Sequence, residues 1–108
     1  MKASVIIPTF NGGNKIKPLL EALVHQSQNA SEVIVVDDGS TEEVEEAVLA
    51  FKDRLPMLQF VRQVNQGRAA ARNRGASYAS GDILIFFDDD VTPEANAIDA
   101  HLQFHANH

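Results

Sequence analysis

Cysteine does not occur in this 108-residue sequence. That excludes a disulfide framework and a thiolate metal site, and it fits a cytosolic protein. Cations are scarce as well: 9 Lys and Arg stand against 15 Asp and Glu, a formal net charge of -6 with histidine neutral. Nucleic acid demands clustered Lys and Arg, so it is not an expected partner. An acidic chain that binds an anion must recruit a metal ion or a local basic patch. Long apolar runs are missing, and no stretch approaches the roughly 20 residues of a membrane-spanning helix. The start, from Met1 to Pro8, has one lysine and an apolar run cut by Pro8. It is too short for a signal-peptide core and lacks a small-residue cleavage site. Gly12-Gly13 belongs to neither a G-x-G-x-x-G nor a Walker loop, so nicotinamide and P-loop binding are excluded. Repeats and low-complexity segments are also lacking.

What is present suffices for one small domain over residues 1–108, with 44% hydrophobic residues to fill a core. Strand and helix signals alternate four times. Ser4–Ile7 reads as a buried strand ended by Pro8. A helix follows the loop Thr9–Asn14, with Ile16, Leu19, Leu20, Leu23 and Val24 on one face and Pro18 in its first turn. Val33–Val36 is the second strand, and Asp37-Asp38-Gly39 its exit turn. Ser40 and Glu43 have the spacing of a capping box, ahead of a helix burying Val44, Ala47, Val48 and Phe51. Met57–Val61 reads as the third strand, Gly67–Ala79 as an Ala-rich helix, and Ile83–Phe87 as the fourth and most apolar strand. Thr92-Pro93-Glu94 is expected to open a last helix, with Thr92 as its cap. That helix meets no stop signal before His108, so the chain is expected to be a fragment of a longer domain. Its sheet edge and the residues Ile98, Leu102 and Phe104 should then be poorly covered and favour self-association.

Apolar strands separated by helices imply a Rossmann-like three-layer α/β/α fold with a mainly parallel sheet of about four strands and right-handed crossovers. Ligands of such sheets sit outside the carboxyl ends of the strands. That puts Pro8–Asn11, Asp37-Asp38 and Asp88–Asp90 on one rim.

Three adjacent carboxylates, Asp88, Asp89 and Asp90, repel one another, and a bound divalent cation removes the repulsion. Carboxylate oxygens suit Mg²⁺ and Mn²⁺. In an extended segment Asp88 and Asp90 share one face and are the expected metal ligands. A helix N-terminus would account for one aspartate, hardly for three. Asp37 and Asp38 make good turn chemistry by themselves. On the shared rim, a carboxylate there can accept from a base N–H or a ribose hydroxyl. Asn65 to Arg68, with Arg72, Asn73 and Arg74, concentrates positive charge. Arg68, close to a helix N-terminus, is the better phosphate candidate, and Arg74 reads as a solvated residue. Phe10 is placed either to stack on a base or to anchor its loop. His101 and His105 share a helical face, most simply an exposed one.

Together these residues resemble the family-2 glycosyltransferases of the GT-A fold. Ser4-Val5-Ile6-Ile7-Pro8-Thr9-Phe10-Asn11 is similar to that family's first strand and loop, and Val35-Val36-Asp37-Asp38-Gly39-Ser40-Thr41 to its second motif. Asn65-x-Gly67 with Ala71-Arg72-Asn73-x-Gly75 resembles the third. Gly81-Asp82-x4-Phe87-Asp88-Asp89-Asp90 resembles the fourth, a D-x-D-type metal motif. The resemblance implies a strand order 3-2-1-4 and a nucleoside-diphospho-sugar donor, commonly a UDP-sugar. Pro8, Thr9, Phe10, Asn11, Asp37, Asp38, Gly67, Arg68, Arg72, Asp88 and Asp89 would contact the donor. Asp88 and Asp90 would hold Mn²⁺ or Mg²⁺. It further implies inverting transfer to the hydroxyl of an acceptor sugar or lipid-linked sugar. The expected location is the cytoplasm, or the inner face of a membrane if further segments anchor it there. The family's catalytic base lies downstream of the metal motif, and no residue here is nominated for it. One rival is a haloacid-dehalogenase-like phosphatase using Asp88 and Asp90, but its motif usually follows a first strand. A non-catalytic nucleotide-binding module is another. A receiver-like domain lacks its acidic pair and lysine.

Overall fold

The computed structural model describes the backbone of residues 1–107 and the side chains of residues 1–106. The helix end expected at His108 lies outside them. Four strands, β1 (Ala3–Thr9), β2 (Glu32–Asp38), β3 (Leu58–Gln63) and β4 (Ile83–Phe86), form one sheet in the order β3-β2-β1-β4. Every pairing is parallel, with Ile6 opposite Ile34 on one side and Phe86 on the other. The helices are α1 (Lys17–Val24), α2 (Glu45–Leu49), α3 (Arg68–Tyr78) and α4 (Ala97–Asn107). The expected three layers and the strand order implied by the resemblance are both present.

β1 and β2 are buried along their whole length, because apolar side chains on both faces have helices to meet. The odd-numbered residues Val5, Ile7, Val33 and Val35 join the larger core with Leu19, Leu20, Val48 and Ile98. The even-numbered Ile34 and Val36 join the smaller core under α3 with Ala71. Gly75 lets α3 sit close to the sheet, since a Cβ there would fall 2.5 Å from Ile6 Cγ2.

Several local expectations are corrected. Pro8 does not end β1, which runs on to Thr9. Ile6 C=O accepts from Phe87 N–H on the β4 side, and Pro8, two residues on, faces the same side after the β4 ladder has ended. Its missing N–H therefore deprives no neighbour. Asp37 and Asp38 lie inside β2, so the turn begins at Gly39. The capping box is not formed. α2 starts after Val44 without a side-chain cap, because Ser40 Oγ is engaged by Asp37 and Asn11 N–H and Glu43 accepts from Glu45 N–H. The last helix opens at Ala97, not at Thr92. Gln26, in the α1–β2 connection, donates to Glu94 C=O (2.8 Å) and accepts from Ile98 N–H (3.0 Å). Ile98, expected to be poorly covered, is 1% exposed. The thinly covered apolar atoms belong instead to Leu84 and Phe86 of β4, on the α3 side, with Phe104 on α4 also exposed.

At the amino ends of the strands, Glu32 ties the sheet to the α3–β4 turn. Its carboxylate is buried and accepts from Ser4 Oγ (2.7 Å), Ser80 N–H (2.5 Å) and Gln59 Nε2 (3.4 Å). Burial pushes the Glu32 carboxyl up, but bonds from Ser4, Ser80 and Gln59 outweigh it and hold it below its ordinary 4.5. A depressed folded-state pKa contributes stability above the unfolded value, lost as pH falls through the folded one. Urea midpoints are therefore expected to fall below about pH 4.5. Glu32→Gln should cost about 1–3 kcal/mol at pH 7 and flatten that acid slope. An unchanged slope in Glu32→Gln would show that another group carries it.

Candidate functional site

The carboxyl ends of the strands converge on one hollow of about 350 Å³, lined by Pro8, Thr9, Phe10, Lys15, Asp38, Asn65, Arg68 and Asp89. Two larger hollows, about 640 and 740 Å³, lie away from the strand ends, against α1–α2 and on α4. Of these three, the first joins residues of all four strand exits.

Asp38 organises this hollow. Its side chain, 5% exposed, accepts from Gln63 Nε2 (2.9 Å), Asn65 Nδ2 (3.3 Å), Gln66 N–H (2.8 Å) and Gly67 N–H (3.0 Å). The second aspartate of β2 thus folds the β3–α3 loop and sets Asn65 and Arg68 in the wall. Burial raises the Asp38 carboxyl, but bonds from Gln63, Gln66 and Gly67 prevail and hold it below its ordinary 3.8. Gly39 makes the turn behind it at φ +69°, where a Cβ would meet Asn65 N at 2.5 Å.

Asp37 lies beneath the hollow rather than in it. It is fully buried, bonded by Ser40 and paired with Arg62 (3.2 Å). Asn11 is not in the lining. At φ +53°, its N–H donates to Ser40 Oγ (2.7 Å), and its Oδ1 accepts from Thr41 N–H (2.8 Å) and Glu42 N–H (3.2 Å). It clasps the β1 and β2 exits together. Phe10, by contrast, is 46% exposed and is among the residues that line the hollow.

The three aspartates after β4 diverge. The segment is not extended: Val91 N–H donates to Asp88 C=O (3.3 Å), and Asp89-Asp90 form a turn. The alternation expected to align Asp88 with Asp90 therefore does not operate. Asp88 Oδ1 lies 3.5 Å from Arg68 Nη1 and 3.3 Å from Arg72 Nη2. Asp89 is buried and accepts from Thr9 Oγ1 (2.8 Å). Asp90 is exposed. Gly67, at φ +101°, is the residue before α3.

Pro8, Thr9, Phe10, Asp38, Arg68 and Asp89 are thus gathered as expected, with Arg72, Asp88 and Asp90 next to them. Lys15 and Asn65 are wall residues that the sequence reading missed as ligand candidates. Asn65 had a signal, its N-x-G motif. Lys15 had none, for it reads as one more exposed residue before a helix.

The donor set fits a hard divalent cation. Asp88 is half-buried and Asp90 exposed, so both carboxylates can be reached from solvent, although the turn does not set them on one face. Such an ion commonly takes one or two carboxylates and fills its shell with water and substrate phosphates. A group of three protein ligands is then not required, and none occurs among the described residues.

Residues 4–108 match the model of the family described as glycosyl transferase family 2. The chain belongs to glycosyl transferase family 2. The second and fourth of the motifs quoted above end at the carboxyl ends of strands of its 3-2-1-4 sheet. The uncharacterized glycosyltransferase YibD of Escherichia coli (strain K12) is 37% identical over 94 residues, 85% of this chain and 27% of the relative. S. aureus TarS in complex with UDP-GlcNAc superposes with a TM-score of 0.92 at 31% identity, covering 100% of this chain and 32% of TarS. The mannosyltransferase PcManGT from Pyrobaculum calidifontis, in complex with GDP-Man and Mn²⁺, gives 0.75 at 30% identity, covering 82% of this chain and 27% of its own. The chain thus spans about a third or less of these relatives. These neighbours are GT-A enzymes, and the family assignment sets aside the phosphatase and receiver readings.

Proposed function

We propose that this family-2 chain holds the nucleoside diphosphate of a sugar donor, a UDP-sugar, together with Mn²⁺ or Mg²⁺. The carrying observation is the single hollow that joins Phe10, Asp38, Asn65, Arg68 and Asp89 beside the Asp88–arginine cluster. Its volume is near the lower end for ligand pockets and suits one nucleoside. Pro8 and Phe10 offer apolar area to a base, and Lys15 and Asn65 offer polar groups to its edge. Thr9 and Asp89 are placed for the ribose. Arg68 and Arg72 are the cations for the diphosphate, and Asp88 and Asp90 would hold the metal. When bound, the metal neutralises charge on the departing diphosphate. The TarS complex with UDP-GlcNAc and the PcManGT complex with GDP-Man and Mn²⁺ support this reading; TarS, the nearer in fold, favours uridine.

Titrating UDP with Mg²⁺ while recording backbone amide shifts tests the assignment. Shifts should concentrate at Phe10, Asn65, Gly67 and Arg68, with weaker responses to GDP. Shifts clustered instead on the α1–α2 hollow or on α4 would refute it.

The same reading makes the chain a donor-binding part of an inverting transferase acting on an acceptor sugar or lipid-linked sugar at the cytoplasmic face of a membrane, with the general base supplied from elsewhere. It also includes self-association by a second copy across β4, an edge strand that exposes Leu84 and Phe86. Sedimentation at rising concentration should show a dimer that Phe86→Lys disperses. An equal dimer fraction in the variant would place the contact elsewhere.

A further inference from the structure

The cluster around Asp88 is arranged unusually for a metal ligand. Two guanidinium groups, Arg68 and Arg72, approach the same carboxylate oxygen at 3.5 and 3.3 Å. Asp88 alone does not neutralise both of these guanidiniums. While they stand there, they also repel a cation approaching Asp88. Arg68 also lines the hollow, and Arg72 Nε is buried with no hydrogen-bond partner. That nitrogen is closed off from solvent, but each guanidinium carries five N–H donors, and Asp88 engages only Nη1 of Arg68 and Nη2 of Arg72, so both retain capacity to bind an additional acceptor. The three side chains are 61%, 41% and 40% exposed, and ion pairs so exposed add little stability. They are easily exchanged for a better partner. A diphosphate is one, because guanidinium binds phosphate oxygens through paired, charge-assisted bonds.

We propose that Asp88 changes partners when a nucleoside diphosphate arrives. Arg68 and Arg72 pass from its carboxylate to the diphosphate, and the freed carboxylate becomes available to the divalent cation. The arginines thus act as a gate on the metal site: nucleotide and metal bind cooperatively, and the metal binds weakly without the nucleotide. The proposal rests on the nucleotide reading above. Coupling between two ligands is reciprocal, so each should raise the other's affinity by one factor.

The test is Mn²⁺ binding to the whole chain, read from the electron paramagnetic resonance of the free ion, with and without saturating UDP. In the unaltered chain UDP should tighten Mn²⁺ by about 5–150-fold, the usual span of site coupling. The double variant Arg68→Gln, Arg72→Gln should bind Mn²⁺ more tightly than the unaltered chain when UDP is absent, and its coupling factor should shrink. Lys15→Gln removes a cation from the same hollow without touching Asp88, and should move Mn²⁺ affinity much less. Circular dichroism verifies folding; if the double variant fails to fold, Arg68→Gln alone gives the same directions at smaller size. Unchanged UDP-free Mn²⁺ affinity in the arginine variants overturns the exchange, as does an equal effect from Lys15→Gln. UDP that fails to bind the unaltered chain at millimolar concentration, with or without Mn²⁺, overturns the nucleotide reading itself and the exchange with it.

Discussion

Asp38→Ala is expected to lower stability by about 2–4 kcal/mol and to abolish measurable UDP binding. The substitution removes the acceptor of four hydrogen bonds, from Gln63, Asn65, Gln66 and Gly67. A buried donor left unpaired costs about 1–3 kcal/mol. Water reaches part of this loop, so the total stays well below four such costs. The binding loss has a separate cause. The β3–α3 loop carries Asn65 and Arg68 into the wall of the hollow, and without the Asp38 carboxylate only the bond from Asn65 Nδ2 to the residue-38 C=O (2.9 Å) still ties Asn65 to β2. Asp38→Asn preserves the volume but turns an amide towards donors, so it should repair little. Urea denaturation gives the stability term, with the midpoint moving at constant slope. A change within about 0.5 kcal/mol, the usual size for an indifferent surface position, would mean that the loop holds its own shape. The pH dependence runs the same way. With the folded Asp38 pKa held below 3.8, its contribution is complete above that value and is lost as pH falls through the folded one.

Sugar transfer to an acceptor by residues 1–108 is expected to be slower than by a full-length relative by about 10²–10⁴-fold, the usual worth of a general base. A base must have a free carboxylate within reach of the acceptor hydroxyl. Most rim carboxylates are engaged. Asp37 is held by Ser40 and Arg62, and Asp38 by the β3–α3 loop. Asp89 is held by Thr9, and Asp88 by two arginines. Asp90 is exposed, and the proposed metal would occupy it. Release of UDP from a panel of UDP-sugars, with and without acceptors, measures the difference. Acceptor-dependent release at a relative's rate would identify one of these carboxylates as the base.

The strands were legible because the sheet is covered on both faces. That turns β1 and β2 into unbroken apolar runs, a signal independent of distant contacts. The rim was legible for the same reason, since the motifs follow directly on those runs. Features set by residues far apart were not legible. The start of α4 depends on Gln26, 72 positions from Ile98, and no local pattern carries that. Ser40 has the spacing of a cap, but Asp37 and Asn11 take its hydroxyl. Asp38 looked like a ligand contact because a carboxylate on the rim is free in the sequence. In the fold it does line the hollow, but it also accepts from Gln63 and the next loop, a supporting role that no local pattern carries. Position along a motif could not separate Asn11, a clasp between loops, from Phe10, a wall of the hollow. The uncovered face of β4 was hidden too, since Leu84 and Phe86 continue the apolar run while α3 packs over β1 and β2 instead.

The most direct test of the central claim, a diphosphate site completed by a metal at Asp88 and Asp90, is titration calorimetry of UDP into this chain with and without Mn²⁺. UDP should bind at least about tenfold more tightly with Mn²⁺, a difference of roughly 1.4 kcal/mol, and Asp90→Ala should erase that gain. Equal affinity in both conditions, or a gain that survives Asp90→Ala, would contradict it.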